Sequence, residues 1–479
     1  MKTSIIADAT ATPLRHLKDL PGPRPWPIVG NALQVDLHRL HQNIETWVKQ
    51  YGPLMTLKLG GMQFMVVSDH ELISSLLRDR PDTFRRSSRM QRIMSEMGIK
   101  DGVFAAEGST WSKQRRMVMA SFSPGQVRSY LPALLNVTKR LQSRWQLAAK
   151  QGASVDLQAD LMRFTVDAVS GLAFGVDVNT LSSNDDVIQQ HLDQIFPTIW
   201  RRMQAIVPYW RVLKLPRDHA LDRSVRAVND AIRVFMADAR VRLQDAQRRA
   251  APPNLLEGMI VAAEASGSGI TDDDVVGNVF TMLLAGEDTT ATSLSWMIYL
   301  LSRHPEALQR ARDEVDRLMG PVDTWTAESL GQLDYMEGCI HETMRLKPVG
   351  PFNAVEALVD TQVAGVRISA KTGVLLVMRH DTLRDECFPQ AQQFMPERWL
   401  PEADHLAPDH AKRVSMPFGA GPRICPGRYL ALLEIKLAAA MLLQSFDIVS
   451  VDTPDGGEAQ ELMSLTMVPV GLRMTLRRR

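Results

Sequence analysis

The run Phe418-Gly419-Ala420-Gly421-Pro422-Arg423-Ile424-Cys425-Pro426-Gly427 constrains this chain more than any other stretch. It puts a cysteine on a glycine-bracketed turn, with an arginine two residues before it and Pro-Gly directly after. A helical pattern then runs from Arg428 to Ser445. Such a loop presents one sulfur to a large, flat partner. The sulfur has to stay anionic without being exposed. Backbone N–H groups aimed at it achieve that, as does the N-terminus of a following helix. Gly421 and Gly427 let the backbone approach closely. Arg423 can grip a carboxylate bidentately, and Phe418 is an apolar shield. A lone cysteine is otherwise a small buried hydrophobe; the surrounding pattern argues against that here.

The rest of the chain reads as mainly α with a minor β region, in one large domain. Apolar residues recur at three-to-four spacing over 131–149, 157–172, 218–248, 272–303 and 306–319. Thr271 and Asp274 approximate a capping box, and His304-Pro305 ends the long helix. Short strand-like runs fall at 54–59, 63–67, 361–363, 366–368, 374–378, 446–451 and 472–476. Residues 1–20 are expected to be a flexible lead and 21–479 the domain. Pro21-Gly22-Pro23-Arg24-Pro25-Trp26-Pro27 is expected to be stiff and extended.

Composition matters for what it excludes. A net charge of +1 offers no bulk attraction for nucleic acid. The three cysteines Cys339, Cys387 and Cys425 fit a reducing compartment without disulfides. No apolar run is long enough for a signal peptide or a membrane span, because Glu287 and Asp288 break the longest one. A cytoplasmic protein is expected.

Three further constellations carry chemistry. Ala285-Gly286-Glu287-Asp288-Thr289-Thr290 sits mid-helix, where a glycine and two carboxylates conflict with a stable core helix. Small residues at 285 and 286 would open a groove for a diatomic ligand. Thr289 could donate to that ligand and Asp288 could relay protons; a kink with a solvated acidic face is the alternative. Glu342 and Arg345 share a helix face, and Arg398, in Pro396-Glu397-Arg398-Trp399, can join them in a buried triad. Trp111 and Arg115 lie one turn apart and could reach an anionic group. Lys113, Arg116, Arg428 and Lys436 would make a basic face if their helices share one.

Together these residues resemble the cytochrome P450 family. Phe418-x-x-Gly421-x-Arg423-x-Cys425-x-Gly427 is similar to its haem-binding loop. The stretch from Ala285 to Thr290 resembles its oxygen-activation helix. Glu342, Arg345 and Arg398 resemble its structural triad, with Trp399 where Phe is commoner. Trp111 and Arg115 resemble its propionate-binding helix. The resemblance covers residues 21–476. It implies a P450 fold with haem b, Cys425 as the axial thiolate to iron, and Thr289 and Asp288 delivering protons. It also implies a monooxygenase that inserts one oxygen atom from O2 into a lipophilic molecule such as a fatty acid, terpenoid or aromatic compound. A haem protein that binds a ligand without turnover, and a peroxide-driven or isomerising relative, are the alternatives.

Two positions depart from the family pattern. Val355 stands where an arginine usually meets a haem propionate, so Arg379 or another group has to substitute. The chain reads Thr382-Leu383-Arg384-Asp385 where a His-Arg-Asp-Pro-like stretch is usual. Electrons, ultimately from NAD(P)H, are expected through a separate ferredoxin, flavodoxin or diflavin reductase docked on the basic face of a monomer. Candidate pocket residues are Met97, Phe104, Leu284, Ala285, Phe352, Leu465 and the 196–212 stretch with Trp200, Met203, Ile206, Tyr209 and Trp210.

Overall fold

In the computed structural model, residues 14–175, 177–182, 187–205, 207–401 and 408–479 are described. The organising element is the helix Asp272–Arg303, continuous over 32 residues. Its start is fixed by a reciprocal capping box. Asp274 N donates to Thr271 Oγ1 at 3.2 Å, and Thr271 N donates to Asp274 Oδ2 at 2.8 Å. Its end is set by Pro305, the first residue of the helix Pro305–Leu318. The long helix is buried on nearly all sides in its C-terminal half, so helices pack all around it. Leu157–Phe174 lies along it, and Arg428–Ser445 and Asp334–Leu346 pack on it from other directions. Most of the described residues are helical.

A five-stranded mixed sheet forms the minor region. Its strand order is Leu54–Leu59, Met62–Val67, Gly373–Val377, Phe352–Ala357, Phe84–Arg86. The last two strands pair antiparallel, with Arg86 directly opposite Val355. The strand 352–357 has no counterpart among the sequence expectations. Its residues follow a proline and a glycine, and its pairing partners are distant in the chain.

The N-terminal boundary also differs. Arg15–His16 pairs in parallel with Val366–Ile368, and Leu20 is buried, so the chain joins the fold before residue 21. Residues 1–13 of the expected lead lie outside the described residues. The proline-rich segment is not simply extended. Trp26 and Gly30 exchange two backbone hydrogen bonds, of 2.9 and 3.0 Å, and close a turn with Ile28 near its tip.

Candidate functional site

The cysteine loop is built as its glycines require. Gly421 has φ +69°, and a Cβ there would lie 2.6 Å from Leu77 O, so only glycine lets the loop close on the helix His70–Arg78. Cys425 N donates to Phe418 O at 2.9 Å, which fixes the turn. The Cys425 sulfur accepts the backbone N–H groups of Gly427 and Arg428, at the head of the helix Arg428–Ser445. Burial pushes the thiol pKa up, while these N–H groups and the guanidinium groups of Arg115 and Arg428 pull it down. The loop therefore holds a half-buried sulfur with groups around it that favour its anion.

Upstream, the loop is braced by the triad. Arg345 meets Glu342 bidentately, at 2.8 Å through Nε and 2.7 Å through Nη2, and both side chains are fully buried. Arg398 Nε reaches Glu342 Oε1 at 3.3 Å. Trp399 adds a fourth member, with its indole N–H donating to Glu342 Oε2 at 2.9 Å. Arg345 also donates to the carbonyls of Thr382, Ala391 and Gln393 at 2.6, 2.7 and 3.0 Å. One carboxylate thus orders four donors and ties the segment before the cysteine to the helix Asp334–Leu346.

In the long helix, the four residues from Ala285 to Asp288 point in different directions. Ala285 is exposed. Gly286 turns toward the neighbouring helix, where a Cβ would lie 2.5 Å from Val169 Cγ2. Its small size therefore serves helix packing; this corrects the expectation that it opens a ligand groove. Thr289 Oγ1 donates to Ala285 O at 2.7 Å, the i−4 back-bond open to a mid-helix threonine. The helix is nevertheless continuous, and Glu287 is buried, so the alternative's solvated acidic face does not hold. Asp288 accepts from the hydroxyls of Thr466 and, at 3.4 Å, Thr292. Burial raises its pKa and these donors oppose the rise. Thr466, on the turn between the strands Glu461–Met463 and Met467–Pro469, was not singled out from sequence.

Sequence reasoning also missed Glu434. It is buried on the helix after the cysteine, bonded to Thr290, with Oε1 lacking a partner. Burial pushes its carboxyl up to about 8 from 4.5. The folded protein therefore holds a proton that the unfolded chain releases across that window, and stability falls as pH rises through it. Glu434→Gln is expected to remove this slope. Urea unfolding should show the variant's advantage over the parent growing by roughly 2 kcal/mol or more between pH 5 and pH 8.

The segment before Trp111 is set on the long helix by a close crossing, where a Cβ on Gly102 would lie 2.3 Å from Gly277 O. Val103 N donates to Asn278 Oδ1 at 2.8 Å. Glu107 directly precedes the helix Gly108–Ser121, which carries Trp111 and Arg115. Arg115 donates to Ile424 O at 2.6 Å, beside the cysteine. Arg423 lies 4.3 Å over the Trp111 ring and bonds Glu107 and, at 2.8 Å, Ala106 O.

Two residues not singled out from sequence join this cluster. Arg80 is buried and lies 3.9 Å from Glu107. Arg86 donates its backbone N–H to Glu107 Oε1 at 2.8 Å and stacks its guanidinium 3.6 Å over the Phe104 ring. Among the described residues, buried Trp111 Nε1, Arg80 Nε and Nη2, Arg86 Nε and Arg423 Nε lack partners. Burial first, then the neighbouring charges of Arg80 and Arg423, push Arg86 down to about 9. The position opposite Val355 is therefore occupied by a desolvated guanidinium.

Arg379 does not fill that position. It is locked to Glu45 at 2.7 Å and to Glu461 at 2.7 Å, and these carboxylates raise its pKa despite burial. The expected basic face is also smaller than its sequence members. Lys436 is buried in an ion pair with Glu337 at 2.7 Å, and Lys113 lies against Gly269. Of the pocket candidates, Met97, Leu284 and Trp210 are buried, the last donating to Glu96 at 2.9 Å. Trp200 and Phe352 pack with ring centroids 6.5 Å apart. Phe104 and Leu465 are half-buried, and Ile206 lies outside the described residues.

Residues 20–476 match the cytochrome P450 family. The chain belongs to that family. The crystal structure of the cytochrome P450DA heme domain superposes with a TM-score of 0.82 over 96% of this chain and 98% of that one, at 24% identity, which shows the shared fold. A self-sufficient cytochrome P450 monooxygenase of Aspergillus niger is 28% identical over 470 residues, 96% of this chain and 43% of that protein. A self-sufficient P450 monooxygenase of Oidiodendron maius is 29% identical over 444 residues, 91% of this chain and 40% of that protein. This P450 thus spans less than half the length of the curated relatives it matches. These relatives are named self-sufficient, and this overturns the expectation of a separate ferredoxin, flavodoxin or diflavin reductase. No helix among the described residues is long and apolar enough to cross a membrane.

Family membership implies haem and electrons derived from NAD(P)H. The residues present fit that group. Arg80, Arg86 and Arg423 crowd one carboxylate, Glu107, and Arg115 lies between Arg423 and the half-buried Cys425 thiol. This cationic surplus is costly in a haem-free protein. The two propionates of a haem would relieve it.

Proposed function

We propose that residues 14–479 form the haem b domain of a cytoplasmic monooxygenase that inserts one oxygen atom from O2 into a lipophilic small molecule, of the fatty acid, terpenoid or aromatic class. The observation that carries this reading is the Cys425 sulfur held by two backbone N–H groups at a helix head, beside the Trp111–Arg115–Arg423 cluster. In this reading Cys425 would hold the haem iron through its thiolate. Bound haem supplies the O2 activation and the oxygen transfer that no side chain can perform.

The chain's own residues do the rest. Trp111, Arg423 and Arg86 would hold the propionates, Arg86 taking the role left open by Val355. Phe418, Gly421 and Gly427 shape the loop around the sulfur, and Glu342, Arg345 and Arg398 brace it. Ala285 is exposed and would leave space for a ligand bound beside Thr289. Thr289 offers a hydroxyl that can turn from the Ala285 carbonyl toward a distal ligand. Asp288, whose pKa burial raises, is the neighbouring carboxyl that would pass protons on to that hydroxyl.

Thr289→Ala is expected to leave haem binding intact and to raise peroxide release relative to product several-fold. Peroxide and product are measured together against reductant consumed. Unchanged coupling removes Thr289 from the proton path. Isotopically labelled O2 tests the reaction itself: one labelled atom is expected in the product, and none would rule out monooxygenation.

A further inference from the structure

A cluster of metal-binding side chains forms where the start of the helix His70–Arg78 meets the 381–387 segment. One ring nitrogen of His70, one carboxylate oxygen of Asp381 and the Cys387 sulfur all lie within 4.8 Å of one another. Among the described residues, no other three His, Cys, Asp or Glu side chains gather this closely.

The three side chains are positioned by the backbone around them. Asp381 is buried, and its Oδ2 accepts the backbone N–H of His70 at 2.9 Å and lies 2.8 Å from His70 Nδ1. The next residue, Thr382, is held at both ends: its carbonyl accepts from Arg345 at 2.6 Å, and its hydroxyl donates to Arg345 O at 3.0 Å. Cys387 N donates to Arg384 O at 3.1 Å, closing the turn that carries the sulfur. Cys387 is half-buried, so solvent ions can reach it.

The charge at the cluster is negative. The carboxylates of Asp381, Glu386 and Asp69 act on the Cys387 sulfur, against the guanidinium of Arg384. Carboxylates around a thiol do nothing for a bare thiolate, but they favour a cation beside it. Arg384 lies 3.5 Å from Asp381 Oδ1 and 3.3 Å from Glu386, and its side chain is 43% exposed. It can therefore swing outward with Glu386 and leave the cluster open.

We propose that His70, Asp381 and Cys387 bind a zinc-class divalent cation, with water in the fourth position. Imidazole nitrogen, carboxylate oxygen and thiolate sulfur are the ligands that zinc takes in tetrahedral geometry, whereas magnesium and calcium demand oxygens. On binding, the thiol proton leaves to solvent and the neutral imidazole keeps its proton on Nε2. The thiolate and the carboxylate then balance the two charges of the ion. The gap between Nδ1 and Oδ2 opens by roughly half an ångström to admit the metal. The ion ties the helix His70–Arg78, on which Gly421 of the cysteine loop closes, to the segment that Arg345 grips. The site goes beyond the monooxygenase reading and does not rest on it.

The test is titration of the full, haem-loaded chain, freed of metal by dialysis, with zinc against a competing chromophoric chelator. One equivalent is expected to bind. Cys387→Ser and His70→Gln should each weaken that binding by roughly a hundredfold. Cadmium reads the sulfur directly: an ultraviolet thiolate-to-cadmium charge-transfer band should appear in the parent and be missing from Cys387→Ser. Zinc should raise the parent's melting temperature by several degrees and leave that of Cys387→Ser unmoved. Both variants should keep the parent's haem spectrum, which shows that they fold. The inference is overturned if the parent binds no zinc, or if both variants bind it as tightly as the parent, which would place the ion on surface histidines. A cadmium band that persists in Cys387→Ser overturns it equally. Failure of haem to bind at all would count against the proposed function and leave the zinc result standing.

Discussion

Glu342→Ala is expected to cost about 3–5 kcal/mol and to yield protein that no longer retains haem. The buried carboxylate accepts from Arg345, Arg398 and Trp399, and from the backbone of Met395 at 2.9 Å. Removing it leaves two guanidinium groups buried without a counter-charge, a far larger penalty than losing a surface pair. Because Arg345 also holds the carbonyls of Thr382, Ala391 and Gln393, the damage spreads into the segment leading to Cys425. Glu342→Gln keeps the volume and two acceptor-donor sites, so it is expected to fall between the parent and Glu342→Ala. Chemical unfolding and haem content of the purified variants check both. Near-parental stability of Glu342→Ala would mean the four donors find other partners.

Arg86→Leu is expected to move two measurements in opposite directions. In the haem-free protein Arg86 is desolvated and repelled by Arg80 and Arg423, which is why its pKa falls to about 9. The folded-state penalty is fully present below that pH, where the group is charged, and fades above it. Leucine removes the penalty, so the haem-free variant should melt higher than the haem-free parent. In the haem-loaded protein the same substitution removes a charged donor to a propionate, worth about 1.5–3 kcal/mol. Haem transfer to a scavenger protein should then run roughly tenfold to a hundredfold faster. A merely structural arginine would lower stability in both states, so a drop in the haem-free melting temperature contradicts the assignment.

What the sequence made legible follows how local each signal is. The bounds of the helix Asp272–Arg303 were readable because a capping box and a proline lie within a few residues of its ends. The Glu342–Arg345 pair was readable from helix spacing, and the cysteine loop from glycines adjacent to it. Arg86 was not readable. It meets Val355 only through the register of two strands far apart in the chain. Trp399 was noticed as unusual, but its bond to Glu342 depends on how the loop folds back onto a helix. Gly286 illustrates the opposite error. Its place beside Thr289 pointed to the ligand, yet the rotation of the helix turns it toward Val169. Glu434 gave no local sign, since an acid nine residues past the cysteine reads as a solvated helix position until the packing buries it.

The claim on which the rest depends is that Cys425 binds haem iron as a thiolate. The direct measurement is the absorption spectrum of the reduced protein under carbon monoxide. The parent should show the red-shifted Soret band of thiolate-ligated haem, and Cys425→Ser should retain haem but lose that band. A parent that binds haem and never shows the band would contradict the account, as would a Cys425→Ser protein that keeps it.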